Sequence, residues 1–111
     1  MTGSIFLRDG EIWSAASWLW RYEIREAVAR LSETGKLAQD MRDCDVDGHP
    51  GVLDLRRYTD EEIGAANTAL AEAVDAIIAR GPEALALPDL VDFAGMTDVL
   101  MRLKELLTDE A

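Results

Sequence analysis

The chain has 111 residues, enough for one domain with a buried core and leaving little room for two. Apolar residues make up 49% and charged residues 30%, a globular balance; 22 Asp and Glu against 11 Lys and Arg give a formal charge of −11. That surplus excludes direct nucleic-acid binding and disfavours anionic membranes, because both require a basic surface. The lone cysteine, Cys44, allows no internal disulfide. No apolar run is long enough for a membrane span, and Met1-Thr2-Gly3-Ser4 lacks the basic-then-apolar pattern of a secretory leader. The expected location is therefore the cytoplasm.

Taken in chain order, Ile5-Phe6-Leu7-Arg8 and Glu11-Ile12-Trp13 flank Asp9-Gly10, a two-residue turn signal that predicts a short N-terminal β-hairpin. The alternative is an extended arm. Ser14 reads as the N-cap of a helix over 15–33, with Trp13, Trp20, Ile24, Ala27, Val28 and Leu31 on one face and Gly35 as its stop. A short helix bearing Leu37 and Met41 follows, then loop chemistry around Asp43–Gly51. Val52-Leu53-Asp54-Leu55 reads either as a third strand or as a linker.

Thr59-Asp60-Glu61-Glu62 is a capping box: a threonine cap, a glutamate three residues on, and acids in the first turn. It opens a helix over 60–80 with Ile63, Ala66, Leu70, Ala73, Val74 and Ile77 on one face, closed by Gly81-Pro82. The last helix, over 89–107, opens at Pro88-Asp89 and is expected to kink or split at Gly95. The fold class is mainly α, a bundle of three to four helices with the hairpin at one side, in a single acidic domain spanning 1–111.

Two patterns bear on function. Asp43-x-Asp45-x-Asp47-Gly48, with Asp54 closing a twelve-residue frame, resembles the calcium loop of EF-hand proteins. The resemblance implies carboxylates of Asp43, Asp45, Asp47 and Asp54 on one hard cation, with the backbone carbonyl of His49 as a further ligand. Pro50 and Arg42 depart from the family pattern, and the last ligand is aspartate where the family has glutamate. Leu55 and Tyr58 suit an exiting helix, whereas the cap at Thr59 starts that helix later.

The second pattern is aromatic. Trp18, Leu19, Tyr22 and Ala29 lie roughly opposite the Trp20/Ile24/Leu31 face of the first helix, a side that surface helices keep polar. Either that helix is covered on both sides, or Trp18 and Tyr22 anchor a protein interface.

Nucleophilic catalysis is not expected. Asp43, Asp45 and Asp47 surround Cys44 and disfavour its thiolate, and phosphate loops and hydrolase motifs are absent. These observations lead to a non-enzymatic interaction protein, most concretely a small inhibitor of the immunity or antitoxin type. It would occlude a basic partner, such as a toxin or a nucleic-acid-directed enzyme, through Trp18, Tyr22, Glu61 and Glu62, without a cofactor. The alternative is a calcium-binding module at 43–54, and a further one is homo-oligomerisation through the first helix.

Overall fold

The computed structural model describes residues 2–7, 10–31, 36–43, 52–84 and 93–109. Strand β1 (Thr2–Phe6) pairs antiparallel with β2 (Ile12–Ala16) in the expected hairpin, with Ile5 opposite Trp13. The turn is wider than Asp9-Gly10 alone. Leu7 N–H donates to Glu11 O at 2.8 Å and Gly10 N–H to Leu7 O at 3.1 Å, so three residues are enclosed and Gly10 supplies the positive φ of 94°.

β2 runs on through Ala16 directly into α1 (Ser17–Val28), so Ser14 is not the cap of that helix. Its hydroxyl is instead paired with Ser4 Oγ across the hairpin at 2.9 Å. Trp13 consequently belongs to the sheet and not to the helix. α1 ends earlier than the predicted 33, in a tightened turn where Arg30 and Leu31 N–H reach Ala27 and Val28 O. Gly35, its expected stop, lies outside the described residues.

The short helix is present as α2 (Lys36–Asp43), burying Leu37, Ala38 and Met41. Val52–Asp54 forms β3, which pairs parallel with β1, giving the sheet order β2-β1-β3. Parallel neighbours need a crossover, and the intervening α1 and α2 provide it. Helices therefore cover one side of the sheet. This is why β2 alternates strictly, with Trp13 and Ala15 buried and Ile12, Ser14 and Ala16 exposed.

The capping box forms as read. Glu62 N–H donates to Thr59 Oγ1 at 3.2 Å, and Thr59 N–H to Glu62 Oε1 at 3.3 Å. The helix it opens, α3 (Asp60–Ala84), loses helical geometry at Gly81 (φ 74°), where the sequence placed its end. α4 (Phe93–Asp109) is continuous through Gly95, without the expected break. Its predicted opening at Pro88-Asp89 lies outside the described residues.

Four helices among the described residues and a three-stranded sheet make a small, mainly α bundle. α1 packs on the sheet and α3, α2 on α1 and α3, and α4 on α3 and β2. Two buried indoles tie the layers together. Trp20 Nε1 donates to Ser4 O at 3.0 Å and Trp13 Nε1 to Val99 O at 2.9 Å, so each large apolar body has its polar atom satisfied. Trp20 lies directly over Gly3, where a Cβ would collide with the indole.

Candidate functional surface

α1 sets the geometry of the candidate interface. Its buried arc runs through Leu19, Trp20, Glu23, Ile24 and Ala27, and its exposed side carries Trp18 and Arg25, followed by the exposed C-cap Ala29. Leu19 thus lies with Trp20 in the core, a correction to the grouping that placed it with Trp18. The two tryptophans differ sharply in environment: Trp20 is 1% exposed and Trp18 is 42% exposed. Tyr22 falls between them. It is half-buried against the core, and its hydroxyl accepts from Arg80 Nη1 of α3 at 3.0 Å. The same guanidinium is ion-paired to Glu26, so Tyr22 is part of the joint between α1 and α3.

At the start of α3, Glu61 is exposed in the acidic first turn. Glu62 is turned inward: one carboxylate oxygen closes the capping box and the other accepts from Leu37 N–H at 3.0 Å. One side chain therefore satisfies orphan donors at the N-termini of two helices. These bonds, first that from Leu37 and then that from the Thr59 hydroxyl, hold the Glu62 carboxyl below its ordinary range. Of the four residues proposed to bind a partner, Trp18 and Glu61 are open to solvent, while Tyr22 and Glu62 have partners within the fold.

Of the calcium frame, Asp45, Asp47 and His49 lie outside the described residues. Asp43 ends α2, where it accepts from Gln39 Nε2 at 3.1 Å. Asp54 ends β3, and a short 3-10 turn rather than an α-helix follows it. Its Oδ1 caps the following 3-10 turn (Leu55–Arg57) by accepting from Arg56 N–H at 3.0 Å. The Arg56 guanidinium engages both Asp54 oxygens at 2.9 Å, and this fork holds the Asp54 carboxyl down to about 2. Among the described residues no three acids, cysteines or histidines converge on a common point.

Two features escaped the sequence reading. The uncovered side of the sheet carries Ile12 and Val52, 53% and 42% exposed, around the half-buried Phe6, over whose ring the Arg56 guanidinium sits at 5.0 Å. Glu23 is the second. It is fully buried in the middle of α1, and neither carboxyl oxygen has a hydrogen-bond partner. Burial pushes its carboxyl well above the ordinary range, Arg30 opposes the shift and Glu26 adds to it. The available signal was positional, since Leu19, Glu23 and Ala27 stand one helical turn apart.

Comparison with protein-family models, curated proteins and solved structures finds no match to this chain.

Proposed function

We propose that the protein is a non-enzymatic binding domain, an acidic cytoplasmic inhibitor of the immunity or antitoxin type, that occludes the basic cleft of a partner enzyme. One observation carries the reading. Trp18 stands open on α1, 42% exposed, in a chain of net charge −11 whose other two tryptophans are buried in the core. An exposed tryptophan on a rigid helix offers a large contact area that loses little conformational freedom on binding. Electrostatics support the same reading. Lys36, Arg56, Arg80 and Lys104 are each ion-paired to an acid of the same chain, so the surplus carboxylates dominate the outer field. Long-range attraction would steer a basic surface in, and Trp18, with Glu61 as a second exposed contact, would hold it.

The test is purification of the untagged chain from its own host, with identification of whatever accompanies it in stoichiometric amount. The reading expects one basic protein that is released by salt and by Trp18→Ala. Recovery of the chain alone, or only with further copies of itself, would sink it.

A further inference from the structure

We propose that the seating of α1 is proton-gated: the helix docks with the Glu23 carboxyl in its neutral form and loosens when that proton is lost. The geometry gives a Glu23 carboxylate no hydrogen bond. Glu23 sits at the centre of the buried arc of α1, and both its oxygens are sealed from solvent without a donor in reach. A neutral carboxyl can be buried there at modest cost, whereas an ionised one requires a cation or several hydrogen bonds.

Every element packed on α1 bears this out. The hairpin buries Gly3, Ile5, Leu7, Trp13 and Ala15 on its helix-covered side, none of them ionisable. α2 turns its apolar side inward, with Lys36 held by Asp40, Asp40 also bonded to Tyr58, and Arg42 and Asp43 exposed. From α3, Arg80 reaches across to α1, but Tyr22 and Glu26 hold it, and Glu62 is turned to the start of α2. Along the same stretch of chain the charges acting on Glu23 are Glu26 of α1 and Arg30, just past its end. Arg30 Nη1 donates to Glu26 O at 2.8 Å and lies 3.9 Å from Glu26 Oε1; its charge favours the Glu23 carboxylate without a hydrogen bond to it, and burial outweighs that attraction.

Glu23 in the unfolded chain ionises near the ordinary value of 4.5, and burial raises its affinity for the proton in the folded state. Its contribution is fully present below 4.5 and is lost as pH rises through the folded value. The same helix carries Trp18 and the Tyr22–Arg80 contact, so loss of the proton loosens the exposed face of α1 as well. The inference does not depend on what Trp18 binds.

The experiment compares wild type with Glu23→Gln, a neutral side chain of the same shape, by thermal melts and α1 amide exchange across acid to alkaline pH. Below 4.5 the two proteins should respond to pH in parallel. Above it, the wild-type unfolding constant should rise against the variant's by up to about tenfold per pH unit. Wild-type α1 amides should lose protection with rising pH faster than those of α4, once base catalysis of exchange is removed. The carbon resonance of the Glu23 carboxyl in the wild-type protein gives a reading that does not require the variant to fold, and it should hold the neutral form to a higher pH than the exposed Glu61 does. A Glu23 carboxyl that ionises near the ordinary value of 4.5, parallel pH curves, or equal loss of protection in α1 and α4 would each overturn the proposal.

Discussion

Trp18 and Trp20 stand two residues apart on one helix and face opposite environments. Trp20 fills the space between α1 and β1 and ties its indole to Ser4 O, so Trp20→Ala should cost about 3–5 kcal/mol in urea unfolding. Trp18→Ala should stay within about 1 kcal/mol, because water already reaches much of that ring. Similar costs at both positions would mean that the exposed face of α1 is covered. Gly3 makes the fit complementary. Gly3→Ala places a methyl group inside the Trp20 indole, and the rigid strand cannot move away, so a loss of about 1–3 kcal/mol is expected. Unchanged stability in that variant would show that Trp20 can seat elsewhere. The burial of Trp20 was legible from periodicity, but Glu23 was not. A charged side chain in a helical repeat is assigned to solvent by default, and the one-turn spacing of Leu19, Glu23 and Ala27 was too weak a signal to overturn that default.

Elements were legible where their signals are local. The Thr59–Glu62 box and Gly81 mark the ends of α3 through bonds and dihedrals confined to a few residues. β3 was ambiguous because its pairing with β1 spans most of the first half of the chain. The start of α1 was misread because Ser14 has two possible partners, and the cross-strand Ser4 hydroxyl competes successfully with the helix backbone. Glu62 joins two elements through one carboxylate. Its folded proton affinity is depressed, so its stabilisation is present above the ordinary value of 4.5 and is lost as pH falls through the folded value. Glu62→Gln should therefore lower the melting temperature at neutral pH and flatten its fall in acid, and an unchanged acid limb would remove Glu62 from the link between α2 and α3. At the 43–54 loop, a cation would have to displace Arg56 from Asp54. Millimolar calcium is expected to leave the melting temperature unchanged. A rise that Asp45→Ala abolishes would show the loop to be a calcium site.

The whole molecule carries opposed pH responses. Glu62 supports the fold on the alkaline side of 4.5, whereas Glu23 supports it on the acid side, so stability is expected to be highest in mildly acidic solution. The net charge of −11 reinforces the alkaline loss through self-repulsion, which the Glu23→Gln comparison cancels. That charge and the open Trp18 make distinct demands on a complex. Charge should govern how fast the partner arrives, and the indole how long it stays. The most direct measurement is therefore the association and dissociation kinetics of the co-purified partner with wild type and Trp18→Ala at low and high salt. The association rate should fall steeply with salt for both proteins, since charges farther apart than about 8 Å are screened at physiological ionic strength. Trp18→Ala should speed dissociation by about 30-fold or more, equivalent to about 2 kcal/mol, with its folding intact. Association that ignores salt, together with dissociation that ignores Trp18, would contradict the account.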